Sequence, residues 1–304
     1  MISFLNLIRW QNILLIILVQ ILIKFALFNA FEVTTALSYI NFGLLVLSSC
    51  FIAAAGNIIN DIYDVDIDKI NKPEKVIVGN LISEKRVFTL FIIFNVIGVG
   101  LGFFISSQIG KPEFAALFVI ISALLYIYSS YLKQFILIGN LLISVLVSMS
   151  ILIIGIFDLI PVLSMKDRLI QGLFFDIIKD YALLAFILTL IREIVKDIID
   201  IDGDFNQGMK TLPIVIGRYR SGKIVFVLTL VPLFLVTYYI INYLYKMPIA
   251  VVYFIVLILA PLLFVCIKSF DAESKKDYLF ISNLLKITMF FGALSLLLYP
   301  LILQ

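Results

Sequence analysis

The chain contains no histidine in its 304 residues. This absence excludes Ser–His and Cys–His catalysis, zinc or haem sites with a histidine ligand, and imidazole general bases. Any chemistry must use carboxylates, amines, amides, phenols or a bound metal. Cysteine is nearly as scarce, since only Cys50 and Cys266 occur. Both fall inside apolar runs, so we interpret them as buried thiols rather than as a disulfide or a metal pair.

Charged residues are also scarce, at 14% of the chain, whereas 63% of residues are hydrophobic and the mean hydropathy is +1.16. A soluble domain is roughly half apolar and about a quarter charged. The apolar residues form runs long enough to cross a bilayer, which predicts a polytopic membrane protein. The first run, from Ile13 to Phe28, lacks a small-residue cleavage site, so we expect no cleavable signal peptide. The net charge of +3 is modest, and we expect no nucleic-acid partner.

The apolar runs predict an all-α protein of about nine transmembrane helices, bundled around a central cavity within one membrane-embedded domain covering residues 1–304. The predicted spans are 11–28, 38–60, 87–107, 114–132, 135–157, 176–197, 223–245, 248–268 and 279–302. Lys24 and Lys286 fall inside spans, and we expect both to snorkel toward the membrane surface. The oligomeric state is left open by these patterns.

Lysine and arginine concentrate on one side of the predicted spans. The richest inner segments follow the second and sixth spans, and they carry Lys69, Lys72, Lys75, Lys85, Arg86, Lys196, Lys210, Arg218, Arg220 and Lys223. Cytoplasmic loops of membrane proteins carry such an excess. We therefore expect a multi-pass protein of the plasma membrane whose N-terminus and whose second and sixth span ends face the cytoplasm.

One carboxylate pattern occurs twice, each time at the inner end of a predicted span. Acids stand at i, i+3 and i+7 in both copies, which are Asp61, Asp64 and Asp68, and then Asp197, Asp200 and Asp204. In a helix this spacing places three carboxylates on one face over two turns. Because like charges so placed repel, a counter-cation is the natural reason to keep them. Hard oxygen ligands suit Mg²⁺, so the two clusters predict one site that binds a diphosphate through magnesium.

Two simpler explanations fit this repeat less well. An EF-hand calcium loop requires Gly at its sixth position and Glu at its twelfth. The first copy has Lys69 and Lys75 there, and the second has Phe205 and Thr211. A solvated acidic cap is disfavoured because acids at a helix C-terminus oppose the helix dipole.

The residues around the repeat resemble the UbiA-type intramembrane prenyltransferases. The signatures of that family are N-D-x-x-D-x-x-x-D and D-x-x-D-x-x-x-D, which residues 60–68 and 197–204 match. The number of spans and the placement of both motifs agree as well. The resemblance implies that the six aspartates are catalytic and hold Mg²⁺ and the diphosphate of an allylic donor. Asn57 lies one turn before Asn60, and both amides are expected to contact diphosphate or metal-bound water.

Finer features are similar to one branch of that family, the digeranylgeranylglyceryl phosphate synthases. The similar segments are residues 56–61, 70–73, 192–197 and 210–213. The chain departs from that branch at residues 75–80, where the branch usually has a stretch like R-P-I-P-S-G. The N-terminal R-P-x-N of many members is present as Arg9-Trp10-Gln11-Asn12, and Y-x-x-x-K is approximated by Tyr128 and Lys133, one residue too far apart.

Several basic and polar residues are candidates for binding substrate. Arg9, Asn12 and Lys133 follow from the resemblance, and Lys210 is a further candidate phosphate contact. Lys196 lies four residues before Asp200, so it either neutralises the cluster or binds diphosphate. Arg192 and Glu193 form either a structural salt bridge or a ligand contact.

The function implied is Mg²⁺-dependent transfer of a prenyl group, expected to come from geranylgeranyl diphosphate, to a lipid acceptor such as geranylgeranylglyceryl phosphate. One alternative keeps this chemistry but uses an aromatic acceptor, as in quinone biosynthesis. An ion-coupled transporter is disfavoured, because transporter acids lie near the bilayer midplane at broken helices. Here the acids lie at span ends on one side only.

Overall fold

The computed structural model describes residues 2–164 and 167–303. Within these ranges the chain is almost entirely helical, and the only β-type pairing is an isolated bridge between Val78 and Ile82. The α-helices in chain order are α1 Ile2–Leu7, α2 Trp10–Leu22, α3 Tyr39–Tyr63, α4 Val65–Asn71, α5 Glu84–Gln108, α6 Ala115–Ser130, α7 Ile138–Asp158, α8 Arg168–Asn206, α9 Leu212–Ile216, α10 Arg218–Tyr239, α11 Pro248–Phe254, α12 Ala260–Asp271, α13 Lys275–Leu294 and α14 Tyr299–Ile302.

Several α-helices continue directly into 3-10 or π-helical turns, so the spans are longer than the α-helices alone. In the described residues, eight helical segments are long and apolar enough to cross a membrane. They are Trp10–Phe31, Tyr39–Tyr63, Glu84–Gln108, Pro112–Ser130, Ile138–Val162, Arg218–Leu244, Pro248–Asp271 and Lys275–Ile302. The predictions of an all-α fold and of a polytopic membrane protein are confirmed.

The remaining predicted span, 176–197, lies within α8. This helix has 39 residues, which corresponds to a length of about 58 Å. Charged residues follow one another too closely along it for a purely apolar span; within 176–197 they are Asp176, Lys179, Asp180, Arg192, Glu193, Lys196 and Asp197. An apolar stretch from Tyr181 to Ile191 separates the two charged ends. α8 therefore differs from the other eight because its apolar stretch is short and charged residues lie at both ends of it.

Lys24 does not snorkel, and that prediction was wrong. Its side chain is only 1% exposed and its ammonium lies 2.9 Å from a carboxylate oxygen of Asp158. It also donates to Thr35 Oγ1 at 3.0 Å and to the carbonyl of Leu37 at 3.2 Å, while Asp158 accepts from the Leu37 amide at 2.9 Å. A carboxylate and two further acceptors lower the free energy of the buried ammonium, so Lys24 is stable without reaching the membrane surface. The pair joins the end of the first span to the end of α7.

Close helix packing builds the half of the bundle that carries the first motif. α5 lies against α3 and α6, and two glycines one turn apart mark the contact. A Cβ on Gly98 would lie 2.7 Å from Ile52 Cγ1, and one on Gly102 would overlap the ring of Phe118. Small residues allow membrane helices to approach in this way, where no hydrophobic effect drives them together. α7, α8 and α13 pack around the other side of the interior.

The buried pair predicts a test of stability. Lys24→Met should lower the free energy of unfolding by about 3–5 kcal/mol, because it leaves the Asp158 charge buried without a partner. Lys179→Met is the matched control, since Lys179 pairs with Asp176 in an exposed i, i+3 contact and such pairs contribute little. Unfolding in detergent, followed by circular dichroism, would measure both. Equal stability of the two variants would contradict the structural role of Lys24.

Candidate active site

The first carboxylate motif crosses a junction between two helices rather than lying within one. α3 ends at Tyr63, Asp64 has φ −93° and ψ 0°, and α4 begins at Val65. Backbone hydrogen bonds nevertheless continue through the junction: the Asp64 amide donates to the Asn60 carbonyl at 2.9 Å, and the Asp68 amide donates to the Asp64 carbonyl at 2.8 Å. The helical register of the motif is therefore kept while the chain changes direction.

The second motif lies within one continuous helix, as its spacing predicts. α8 extends to Asn206, beyond Asp204, so Asp197, Asp200 and Asp204 follow one another at successive turns of the same face. The side chain of Asp197 accepts a hydrogen bond from Asn140 Nδ2 on α7 at 2.8 Å. This end of α8 thus has one carboxylate anchored to α7.

α4 brings the two motifs together by packing against the end of α8. Asn71 makes two hydrogen bonds across the contact: its Nδ2 donates to the Asp200 carbonyl at 2.9 Å, and its Oδ1 accepts from the Gly203 amide at 3.0 Å. A Cβ on Gly203 would lie 2.9 Å from the Ile67 carbonyl oxygen and would overlap Asn71. Only glycine at this position lets the helices approach closely enough for Asn71 to bridge them.

Three of the carboxylates are each paired with a cation from a different part of the chain. Arg9 Nη2 lies 3.0 Å from Asp61 Oδ1, Lys133 contacts Asp64, and Lys72 Nζ lies 2.7 Å from Asp200 Oδ2. Asn60 also donates to Asp64, through its Nδ2. The resemblance alone singled out Arg9, Asn60 and Lys133, and the structure places all three beside motif carboxylates.

Asp68 and Asp204 lie among these carboxylates, and their own charges are destabilised. Burial, and then the negative charge of Asp64, raises the pKa of Asp68 to about 6. Burial, and then the negative charge of Asp200, raises the pKa of Asp204 to about 7. Carboxylates of the other motif, as well as those of its own, contribute to the raised pKa of each group. Burial and the neighbouring carboxylates therefore both oppose ionisation of Asp68 and Asp204.

The donors in this pocket are the hard oxygens that Mg²⁺ prefers. In residues 2–164 and 167–303, Asp200 Oδ1 and Asn60 Oδ1 are buried and accept no hydrogen bond. Oxygens left in this state are suited to a cation. Within the same ranges, no three acidic or cysteine side chains converge closely enough to hold one ion by themselves. The residues present therefore fit magnesium held by few protein oxygens, with substrate phosphates supplying the others.

A cavity of about 230 Å³ lies next to the carboxylates, inside the bundle. Its walls come from α2, α3, α6, α7, α8 and α13. The predicted substrate-binding residues Arg9, Asn12, Asn57, Asn60 and Lys196 all line it. The Asn57 amide donates to the Ile8 carbonyl at 3.0 Å, which holds the start of the chain against α3. The central cavity expected from the sequence is thus present, with polar groups at the motif side.

A second cavity of about 330 Å³ adjoins the first along α2, α7 and α13. The two share Leu15, Ile16, Val147, Ser150 and Met289 as lining residues. Its other walls are mainly aliphatic and aromatic, and a group of tyrosines at its far end includes Tyr239, whose hydroxyl lies 2.8 Å from that of Tyr299. A polar site therefore leads into an apolar space of greater volume.

Lys210 is placed differently from the other predicted site residues. It is exposed and does not line the cavity, although its backbone amide donates to the Gln134 carbonyl at 2.8 Å, next to Lys133. Of two further residues near the carboxylates, Asn140 was not among the predictions, and Lys72 was predicted only as one of the basic residues of the inner segments. Asn140 follows an apolar run into α7, and an amide there is costly without a partner, so this signal was available. The role of Lys72 depends on the contact between α4 and α8.

Comparison with known proteins agrees with this architecture. Residues 18–294 match the model of the UbiA prenyltransferase family. A digeranylgeranylglyceryl phosphate synthase of Methanosphaera stadtmanae is 32% identical over 262 residues, which cover 84% of this chain and 87% of that protein.

Two solved structures share the fold. One, from work on digeranylgeranylglyceryl phosphate synthase in membranes, has a TM-score of 0.62 and 25% identity, covering 98% of this chain and 97% of the other. The second is a UbiA homologue from Archaeoglobus fulgidus bound to DMAPP and Mg²⁺, with a TM-score of 0.53, 20% identity, and coverage of 96% and 99%. The family match spans most of the chain and both carboxylate motifs. The chain therefore belongs to the UbiA prenyltransferase family and is a multi-pass membrane enzyme of that family.

Proposed function

We propose that this enzyme transfers a geranylgeranyl group from geranylgeranyl diphosphate to the hydroxyl of geranylgeranylglyceryl phosphate, with Mg²⁺ as cofactor. One observation carries the proposal: two carboxylate motifs from distant helices meet at the polar end of a cavity that continues into an apolar one. The name of the Methanosphaera relative supports the choice of acceptor. The ligands of the Archaeoglobus homologue, DMAPP and Mg²⁺, support the choice of donor class and metal.

The six motif aspartates are proposed to hold magnesium and, through it, the donor diphosphate. Asp61, Asp64 and Asp68 act from the α3–α4 side, and Asp197, Asp200 and Asp204 act from α8. Bound Mg²⁺ would supply Lewis-acid stabilisation of the negative charge that develops on the departing diphosphate. For this binding, Lys133 and Lys72 must turn from their carboxylates toward phosphate oxygens, which keeps charge pairing intact.

The chain's own residues then position the donor and exclude water. Asn57, Asn60 and Asn12 offer amides to the diphosphate at the polar end of the cavity. The prenyl tail extends into the apolar cavity, where no water competes for the allylic cation. The bond between carbon one and the diphosphate oxygen breaks with its electron pair on diphosphate. The acceptor hydroxyl forms the ether bond to carbon one, and its proton passes to the released diphosphate.

We propose that the catalytic pocket faces the cytoplasm of a plasma membrane and that the whole chain forms a single prenyltransferase domain. The support is the concentration of lysine and arginine in the segments that follow α3 and α8. The water-soluble diphosphate is released on that side. Lys210 is kept as a proposed contact for phosphate entering or leaving from solvent.

Removing single carboxylates tests the proposed roles of the motifs. Asp64→Ala and Asp200→Ala should each lower kcat by about 100-fold or more, because each removes a proposed ligand of the Mg²⁺ that would stabilise the charge on the leaving diphosphate. Activity would be measured as ether product from labelled geranylgeranyl diphosphate, and removal of Mg²⁺ with EDTA should abolish it. Asp66→Ala and Asp202→Ala are matched controls, since both side chains lie in the same helices but are exposed. Loss of activity in the controls alone would overturn the assignment.

The approach of α4 to α8 generates a second expectation. Gly203→Ala should lower activity by about tenfold to 100-fold, because the added Cβ overlaps Asn71 and displaces one motif from the other. Gly172→Ala is the control within the same helix, since a Cβ there meets nothing within 4 Å. Wild-type activity of Gly203→Ala in folded protein would show that the distance between the motifs is not critical.

Cysteine labelling tests the proposed orientation. In a background lacking Cys50 and Cys266, Glu74→Cys should react with a membrane-impermeant maleimide only from the cytoplasmic side. Glu113→Cys, which lies at the opposite end of α5, should react only from outside. Both positions are exposed. The reverse pattern of labelling would place the carboxylates on the outer face.

A further inference from the structure

The cavity next to the carboxylates carries more positive charge than its own acids balance. Four cations line it: Arg9 at the start of α2, Arg192 and Lys196 on α8, and Lys286 on α13. Glu193 is the one carboxylate in the part of the lining that the structure describes. Lys286 is half-buried and lines the cavity, while its ammonium reaches the exposed side chain of Gln11 at the start of α2.

Two of these cations have a carboxylate partner within hydrogen-bonding distance. Arg9 is paired with Asp61, and Lys196 donates to Glu193 Oε1. The nearest guanidinium nitrogen of Arg192 is 3.8 Å from that same Glu193 oxygen, which is too far for a hydrogen bond.

Arg192 and Lys286 are the two cations of the cavity lining that have no carboxylate within hydrogen-bonding distance. Within the described chain, Arg192 Nε is buried and donates no hydrogen bond. Lys286 Nζ donates to the neutral amide oxygen of Gln11. Positive charge inside a membrane is costly unless an anion accompanies it, so this wall of the cavity is suited to an anionic ligand.

The cations and the motif aspartates lie at different heights along α8. Arg192, Lys196, Asp200 and Asp204 follow one another at four-residue intervals, so the aspartates lie closer to the C-terminal end of the helix than the cations. Contacts agree with this division: Asp197 accepts from Asn140 on α7 and Asp200 pairs with Lys72 at the end of α4, while Lys286 comes from α13, which also packs against α8. A mainly positive wall of the cavity therefore adjoins the carboxylate cluster.

We propose that Arg192 and Lys286 bind the phosphate of the lipid acceptor, a phosphate monoester, and thereby hold its hydroxyl beside the donor carbon. This inference rests on the proposed function and names the subsite that selects the acceptor. A phosphate monoester carries close to two negative charges at neutral pH, which matches the two cations that have no carboxylate within hydrogen-bonding distance. Guanidinium binds phosphate oxygens through two parallel hydrogen bonds, so Arg192 also orients the group.

The position of this subsite suits the proposed transfer. In a glycerol phosphate lipid, the phosphate and the free hydroxyl stand on adjacent carbons. An acceptor held by Arg192 and Lys286 therefore presents its hydroxyl toward the aspartates further along α8, where the proposed donor diphosphate ends. An aromatic acid of quinone biosynthesis carries one charge on a planar ring and leaves one of the two cations without a partner.

Kinetics with each substrate varied separately would test the assignment. Arg192→Gln and Lys286→Gln should each raise the KM for geranylgeranylglyceryl phosphate by about tenfold to 100-fold, the expected effect of losing a hydrogen bond to a charged group. The KM for geranylgeranyl diphosphate should change less than twofold. With geranylgeranylglycerol, which lacks the phosphate, the variants and the wild type should be equally slow. Arg192→Lys should restore part of the acceptor affinity.

Arg220→Gln and Lys276→Gln are matched controls, because both residues are exposed and lie outside the cavity. Neither should alter either KM. A rise in the KM for the diphosphate in Arg192→Gln, with the acceptor unaffected, would assign these cations to the donor instead. Unchanged constants for both substrates, in variants that elute as folded protein, would also overturn the proposal.

Binding without turnover separates this proposal from the proposed function. Glycerol 1-phosphate should raise the unfolding temperature of the wild type in detergent without Mg²⁺, and it should have no effect on the double variant Arg192→Gln, Lys286→Gln. If this stabilisation is seen but no ether product forms with any acceptor, the transfer reaction is wrong and the phosphate site stands. If ether forms but glycerol 1-phosphate stabilises wild type and double variant equally, the site is wrong and the reaction stands.

Discussion

Mutual repulsion among carboxylates in one pocket is the constraint around which this part of the bundle is built. Asp64, Asp68, Asp200 and Asp204 come from two motifs more than a hundred residues apart, yet burial and the charges of Asp64 and Asp200 together raise the pKa of Asp68 and of Asp204. Such a cluster forms only if other contacts hold the helices together. Asn71 bridges α4 to the end of α8, and Gly203 removes the side chain that would keep them apart. Lys72, Lys133 and Arg9 then offset part of the negative charge.

The junction at Asp64 has a clear consequence for this arrangement. α3 ends at Tyr63, and Asp64 separates it from α4. α4 carries Asp68, the last carboxylate of the first motif, and packs against α8, which carries the second motif. The backbone hydrogen bonds of Asp64 and Asp68 continue through the junction, so the turn does not leave these groups without partners. The geometry of the site is thus set in the backbone as well as in the side chains.

The cavity combines this charged end with an apolar interior, as a prenyltransferase of the membrane requires. Charged side chains line the first cavity from the start of α2, from α8 and from α13, and amide side chains line it from α2 and α3. The adjoining second cavity is lined mainly by aliphatic and aromatic side chains. A substrate with a charged head and a long apolar tail fits such a gradient of polarity. The same gradient explains why α8 is less apolar than the other membrane-crossing helices, since it alone passes charged side chains from one subsite to the other.

The sequence by itself determined the class of fold, the approximate spans, the two carboxylate motifs and the family, because hydropathy and residue spacing are local properties. It also indicated Arg9, Asn57, Asn60, Lys133 and Lys196 as members of one site, and the structure places all of them at the carboxylates or in the adjoining cavity. Only the tertiary structure decided that Lys24 is buried against Asp158, that Lys72 reaches Asp200, and that Lys286 faces Arg192 across the cavity wall. A lysine in an apolar run has the same local pattern whether it snorkels, pairs or lines a cavity. Its position depends on helices distant in sequence, and the free energy of a buried charge depends on which partners those helices bring within a few ångströms.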